Sequence, residues 1–344
     1  MPAVTYVPSF ELVLTRRCAY TCGYCYFTNR PSPLPPSRKV VRRLLRLAGR
    51  LDVNQVTLTA GEGIADLPEI MRVCRYYGYT TWFEYLTDLL RTIESTNGRP
   101  LVPVLDVGAI SFAELQKMRL VVPALRIMLE SADDSLLYRA AHRGAPQKSF
   151  AARLRALETA GCLGVPVVTG ILVGIGEHSS TWARAAEAIA SLHERYHHIQ
   201  QFVLTPFQPS PRTPMELHAP PSVETFTQAC SVVRKVLDSR VIVSAEIGGR
   251  LDFLGPVLET GIRDLGEIRL ATSERVDTEL ACALAEVGRA LAKDGLQLRP
   301  RQTLVNGIRS RGILPAEIMG LLRRQREYQR PRRDGNDSSA TTAL

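Results

Sequence analysis

Phe10-Glu-Leu-Val-Leu-Thr15, continuing through Arg16-Arg17 into Cys18-Ala-Tyr-Thr-Cys22-Gly-Tyr-Cys25, is the stretch on which the fold turns. Its first six residues read as a buried first strand, and the strand runs straight into a loop holding three cysteines. A Pro-rich segment from Pro31 to Pro36 follows. Ser37 then caps a helix in which Val40, Val41, Leu44, Leu45 and Ala48 recur at helical spacing, leaving Arg38, Arg42, Arg43 and Arg46 outside. The alternation continues through apolar runs at 55–59, 101–105, 125–129, 165–173, 202–204 and 241–243, with amphipathic helical patterns between most of them. A repeated βα unit implies a parallel sheet with right-handed crossovers, and six or more units favour a closed sheet. The expected fold is α/β: a full or partial (β/α) TIM-type barrel over 1–270. A C-terminal helical extension over 271–324 carries Leu280, Leu284, Val287 and Leu291, and a disordered tail is expected over 325–344, where periodicity ends. Functional groups in such barrels gather at the C-terminal ends of the strands, so the residues just after each apolar run are the candidates.

The chain of 344 residues, 45% of them hydrophobic, suffices for one large core. No run approaches the roughly 20 apolar residues of a membrane span, and the N-terminus lacks a charged segment followed by an apolar one. A cytoplasmic protein without membrane contact is expected. Seven cysteines, an odd and sparse number, point to a reducing compartment and to cysteine used for chemistry. The net charge of +9 comes mainly from arginines scattered over helix faces, which reads as a solvated basic surface. No RRM-like or KH-like motif accompanies it, so nucleic acid is not an expected partner.

Cys18, Cys22 and Cys25 place three thiolates within eight residues, whereas Cys74, Cys162, Cys230 and Cys282 read as core or helix cysteines. Three thiolates on a four-iron cluster leave one iron open. A structural zinc site or a ferredoxin-like cluster needs a fourth ligand at matching spacing, and Cys74 lies far off in a predicted helix.

This CxxxCxxC pattern, with Tyr24 before its last cysteine and directly after a first strand, resembles the signature of radical S-adenosylmethionine (radical SAM) enzymes. The resemblance implies a [4Fe–4S] cluster whose open iron is chelated by the amino and carboxylate groups of S-adenosyl-L-methionine, with Tyr24 beside the adenine. Thr59-Ala60-Gly61-Glu62-Gly63 is similar to the family's glycine-rich motif at the methionyl ammonium, where glycine lets backbone come close and a carboxylate accepts from the ammonium. Gly170-Ile-Leu-Val-Gly174-Ile-Gly-Glu177 is close to its GxIxGxxE adenine motif. Glu130, in Met128-Leu-Glu-Ser131, is a candidate for a ribose hydroxyl. Each has a plainer reading: a packed loop aromatic, a strand-to-helix turn, a Gly-rich strand end, a solvated carboxylate.

A longer resemblance, over Phe10 to Met215, is to the CofG-type subunit of deazaflavin (FO) synthases. It is carried by Met128-Leu-Glu-Ser131, His142 with Pro146 and Lys148, Arg153-Leu154, Val165 to Glu177, Tyr196-His-His-Ile-Gln200 and Pro211-Arg-Thr-Pro-Met215. It implies that a 5′-deoxyadenosyl radical abstracts hydrogen from a tyrosine/ribityl-aminouracil adduct, ring closure following with loss of ammonia. It also implies a second radical SAM subunit supplying that small-molecule substrate, and an electron donor such as flavodoxin or ferredoxin. The departures fall where substrate sits. His-x-Asn-Pro-Gly of the family is here Val104-Leu-Asp106-Val-Gly108, Gln-Asn-Phe is Thr205-Pro206-Phe207, Pro-Pro-Asn is Ser244-Ala-Glu246-Ile-Gly248, and Asp-Trp-Gly-Gly is Asp264-Leu-Gly-Glu267. A site built on hydrogen bonds to one substrate discriminates strongly, so these changes raise a paralogue acting on another aromatic or amino-acid-derived substrate. Asp106, Glu246 and Asp264 are then candidates for binding an amine or guanidine. His142, in a loop with Arg143 and Lys148, reads as a surface histidine or a substrate contact. Rival classes are an RNA-modifying radical SAM enzyme and a non-catalytic metal or Fe–S binding module.

Overall fold

Phe10, Leu12 and Leu14 of the first strand lie fully buried in an apolar cluster with Val41, Leu45, Leu86 and Leu89 of the surrounding helices. Each such side chain stabilises the fold by about 1.5–3 kcal/mol. Their alternates Ser9, Glu11 and Thr15 are equally buried, so a polar face lies inside the sheet and an apolar one under the helices. The computed structural model describes residues 2–29, 32–95, 99–273, 278–304, 312 and 314–329.

Strands β1 (Ala3–Thr15), β2 (Gln55–Ala60), β3 (Val102–Asp106), β4 (Ala124–Arg126), β5 (Val167–Val173), β6 (Ile199–Pro206), β7 (Ile242–Ala245) and β8 (Asp264–Thr272) form one parallel sheet in the order β7-β6-β5-β4-β3-β2-β1-β8. Between them run α1 (Arg38–Ala48), α2 (Pro68–Tyr76), α3 (Trp82–Glu94), α4 (Phe112–Met118), α5 (Phe150–Cys162), α6 (Ser180–Tyr196), α7 (Val223–Val236) and α8 (Leu254–Glu259). Ser37 caps α1 as expected, accepting from the Val40 amide, and the helix buries Val41, Leu45 and Ala48 while Val40 faces outward. The sheet curls into a nearly closed barrel whose ends, β7 and β8, meet through side chains. Ser244 donates to Asp264 over 2.6 Å, and the Glu267 amide donates to Glu246 over 3.2 Å.

The extension beyond 270 is not helical alone. β8 carries the barrel on to Thr272, and β9 (Gln297–Pro300) pairs in parallel with Ala3–Tyr6 of β1. Helices α9 (Thr278–Lys293) and α10 (Ala316–Gln329) flank it. Leu304, Leu314, Ile318, Leu321 and Leu322 form a second apolar cluster with Val102, Val104 and Ala124, seating α10 against β3 and β4. Residues 325–329 of the expected tail lie in α10. Gln325 is buried in α10 and donates to the Asn54 carbonyl over 2.6 Å, so this polar side chain completes a tertiary contact. The rest of that expectation, 330–344, lies outside the described residues, as do the side chains of Leu280 and Cys282. Among the described residues no helix is long and apolar enough to cross a membrane.

Candidate functional site

The cysteine loop leaves β1 and is held to the barrel rim by backbone hydrogen bonds. Ala19 donates to the Glu62 carbonyl (2.9 Å), Thr21 to Gly144 (3.0 Å) and Gly23 to Ala141 (2.8 Å), while Met215 donates to Gly23 (3.0 Å). Contact this close needs glycine at Gly61: a Cβ there would collide with the Arg17 carbonyl and lie 2.6 Å from Cys18 Cβ. Gly61→Ala is therefore expected to push the loop off the rim, lowering stability by about 1–3 kcal/mol and weakening whatever the cysteines hold. Iron content after anaerobic reconstitution, read beside the unfolding midpoint, checks this; full iron loading at wild-type stability would contradict it.

Cys18, Cys22 and Cys25 are half-buried and line one pocket of about 160 Å³ with Tyr24, Gly61, Glu62, Glu130 and Lys148. Burial pushes the Cys22 thiol up to about 12, against the pull of Lys148, and raises Cys25 as well. Cys74 and Cys230 are buried apart from this loop and Cys162 is exposed. Among the described residues no three Cys, His, Asp or Glu groups converge on a single-ion site.

Glu62, Glu130 and Glu177 are brought to the rim, but not all of them face it freely. Glu62 accepts from Arg153 Nη1 (2.7 Å) and the Ala109 amide (3.0 Å), with Lys148 Nζ at 3.9 Å. Glu130, four residues past the end of β4, has φ +67°, a left-handed conformation, and takes Lys148 Nζ at 2.8 Å. Burial works against its charge most strongly, but Lys148, Arg153 and His142 together outweigh it and hold the carboxyl below the usual range. Glu177 turns inward on its own loop: it accepts from the amides of Gly174 and Ile175 (both 2.9 Å) and from Trp182 Nε1 (3.0 Å), bracing the end of β5 where Gly174 has φ +95°.

His142 is not a surface residue. It is 1% exposed, its Nε2 lies 3.4 Å from the Tyr24 hydroxyl, and burial drives its pKa down to about 4, keeping the ring neutral behind Tyr24. Asp264 is not at the rim either. As the first residue of β8 it sits at the opposite end of the barrel, accepting from Arg301 Nε (2.6 Å), Ser244 (2.6 Å), Thr5 (2.5 Å) and the Gly266 amide (2.9 Å), where it ties the C-terminal segment to the strands.

A larger cavity of about 570 Å³ adjoins the cysteine pocket and shares Tyr24, Cys25, Asp106, Arg126, Met128 and Glu130 with it. One wall is apolar, with Leu172, Leu265, Ile268 and, from α9, Leu284 and Val287. The other is charged. Arg126 makes a bidentate pair with Glu246 (Nη1–Oε1 3.1 Å, Nη2–Oε2 2.8 Å) and reaches Glu267 at 3.3 Å and Asp106 at 3.9 Å. Burial opposes the guanidinium charge, but Glu246 and Glu267 outweigh it and raise the Arg126 pKa. Arg269 pairs with Glu11 (3.2 Å), which also accepts from Thr59, and lies 3.8 Å from Glu267. Glu11, Arg126 and Arg269 are not among the residues expected from the sequence, and Glu267 figures there only as a departure from the family motif. Their signal was a charge set inside an apolar run, as in Phe10-Glu-Leu and Leu125-Arg-Ile, which only an inward polar face tolerates.

Residues 12–189, more than half of the chain, match the radical SAM superfamily. This chain belongs to the radical SAM superfamily. The matched region runs from β1 through most of α6 and so takes in the cysteine loop, Glu62, Asp106, Glu130 and Glu177. Among curated relatives, this radical SAM enzyme is 31% identical over 328 residues to the 7,8-didemethyl-8-hydroxy-5-deazariboflavin synthase of Methanoculleus marisnigri, covering 94% of this chain and 95% of the relative. It is 30% identical over 279 residues to the synthase of the same name from Methanococcoides burtonii, covering 80% and 82%. Among solved structures it shares the fold of HydG, a maturase of the [FeFe]-hydrogenase, with a TM-score of 0.69 at 16% identity over 92% of this chain and 69% of that one. The similarity of sequence to the deazaflavin synthases thus extends beyond the barrel's shared architecture.

Proposed function

We propose that Cys18, Cys22 and Cys25 hold a [4Fe–4S] cluster and that the enzyme cleaves S-adenosyl-L-methionine to abstract hydrogen from a small molecule in the 570 Å³ cavity. The observation that carries this reading is the shared wall: three thiols and the glycine–carboxylate edge of β2 line one pocket, and that pocket opens into the larger cavity. The donor set fits the cluster, because a four-iron cluster binds each thiolate on its own iron and does not need the thiols to meet at one point. When bound, the cluster and S-adenosylmethionine together supply a 5′-deoxyadenosyl radical. The chain's own groups bind and shield. Glu62, fixed by Arg153 and the Ala109 amide, presents a carboxylate for the methionyl ammonium. Gly61 keeps the backbone close, and Glu130 and the braced Gly174 turn border the nucleoside side. Tyr24, backed by the neutral His142, supplies a ring face between the two cavities. The apolar wall from α9 excludes water from the reacting centre.

The named reaction that the relatives favour is the ring closure of a tyrosine/ribityl-aminouracil adduct with loss of ammonia, with a second radical SAM subunit supplying the adduct and a cytoplasmic flavodoxin or ferredoxin supplying the electron. A second reading, a different amine-bearing substrate, is favoured by the ion-paired wall around Arg126, which stands where the family's uracil-reading side chains have changed. An anaerobic assay separates them. The reconstituted protein is given dithionite, S-adenosylmethionine, tyrosine, the ribityl-aminouracil and a second subunit, and 5′-deoxyadenosine and the deazaflavin are read by mass spectrometry. Both products support the synthase. Deoxyadenosine alone moves the enzyme to another substrate, and neither product from cluster-loaded protein overturns the reading.

A further inference from the structure

Among the described residues four carboxylates, Asp106, Glu130, Glu246 and Glu267, line the large cavity against two guanidiniums, Arg126 and Arg269; Glu130 is paired with Lys148, and Glu11, outside the lining, pairs with Arg269. The excess charge is not shared evenly. Glu246 is taken up by two Arg126 nitrogens and the Glu267 amide. Glu267 accepts from Thr57 at 2.5 Å as well as from Arg126, and Glu11 accepts from Thr59 and Arg269. Asp106 is different: among the described residues no donor comes within hydrogen-bond distance of its carboxylate, and its nearest cation is Arg126 Nε at 3.9 Å. It is also the last residue of β3 and lines both cavities, so it stands at their junction.

We propose that Asp106 is the specificity-determining residue of this site, and that it selects a substrate carrying a protonated nitrogen on an apolar body. This rests on the radical SAM reading above and names the substrate class for it. The nitrogen completes the one carboxylate of the wall left without a donor, and the apolar body lies along Leu172, Leu265, Ile268, Leu284 and Val287. A carboxylate placed at the same spot meets Asp106 and the neighbouring acids instead, so an anionic analogue is rejected by like charge. Burial holds the Asp106 carboxyl up to about 6, with Arg126 pulling it down and Glu267 and Glu11 pushing it up; an incoming cation relieves that burial cost.

The test is equilibrium binding to the cluster-loaded protein with S-adenosylmethionine present and no reductant. The probes are tyramine, 4-ethylphenol and 3-(4-hydroxyphenyl)propanoate, which share a ring and differ in charge. Tyramine is expected to bind about 10- to 100-fold tighter than either analogue, the scale of one charge-assisted hydrogen bond. Asp106→Asn, which keeps the side chain's size, is expected to erase that preference. Its fold is checked by the unfolding midpoint, which should not fall, because the change removes a half-buried, underpartnered charge. Equal binding of the neutral or anionic analogue overturns the proposal, as does a failure of tyramine to bind or an unchanged preference in Asp106→Asn. Deoxyadenosine formation by the wild-type protein is scored separately, so failure of the radical SAM reading shows there and failure of the Asp106 assignment shows in the binding series.

Discussion

Cys22→Ala is expected to abolish cluster assembly and S-adenosylmethionine cleavage while leaving the fold intact. Cys22 lies at the centre of the loop, half-buried, and its thiol is pushed up to about 12 by burial. As a free thiol it stays protonated, so it becomes a ligand only when a metal displaces the proton, with Lys148 nearby to favour the anion. With two thiolates left, one further iron loses its protein ligand and the cluster is not retained. The alanine leaves the strand and rim contacts untouched, so stability should change by no more than about 1 kcal/mol. Cys230→Ala offers the opposite pattern: a fully buried core cysteine whose loss leaves a small void and lowers stability, with iron loading unchanged. Iron and sulfide analysis beside deoxyadenosine formation decides the matter. Wild-type iron content in Cys22→Ala would falsify the ligand assignment.

Arg126→Ala should be the most destabilising single change in the barrel interior. It leaves Glu246 and Glu267 buried without their shared cation and strips Asp106 of its nearest one. Removing one partner of a buried ion pair costs about 3–5 kcal/mol, a large part of the 5–15 kcal/mol typical of a whole domain. Lysine does not substitute well, because a point charge cannot meet Glu246 with two nitrogens and Glu267 with a third contact. The pH dependence gives the sign. In the wild type, Glu267 is held below the usual carboxylate range: burial opposes its charge, and Arg269 and Arg126 outweigh burial. Asp106 is the group that responds: burial already holds its carboxyl up to about 6 against the pull of Arg126, and without that arginine it rises further, so the folded variant binds a proton more readily than its unfolded chain and gains stability as pH falls. The deficit relative to wild type, measured by urea unfolding, should therefore shrink between pH 8 and pH 5.5. A deficit that stays constant with pH would mean that the loss is one of packing.

Much of this was legible from residue patterns. The first strand, the Ser37 cap and the βα alternation rest on local periodicity and survive translation into three dimensions, and the three closely spaced cysteines come to line one pocket. What escaped were the strands and charges whose polar side faces inward. β8, Asp264-Leu-Gly-Glu-Ile-Arg-Leu-Ala-Thr272, alternates polar and apolar residues as a solvent-facing segment does, because a polar cavity imposes the same pattern as water. β4 was read through Leu129, but it leaves the ladder after Arg126, and Glu130 re-enters through a single bridge to Ile171 in a left-handed turn that apolar composition does not record. His142 and Gln325 were misplaced for a related reason. A polar side chain can be buried where an internal partner offsets its desolvation, and sequence alone does not name the partner.

The barrel's two lips, β7 and β8, share no place in the backbone ladder, yet a single guanidinium rooted on the far wall in β4 grips a carboxylate beside each. The side chain of Arg126 works as a tie-rod across the bore. Together with the Glu267 amide on Glu246 and Ser244 on Asp264, it holds the slit between the lips shut, so widening the slit means breaking all of these bonds.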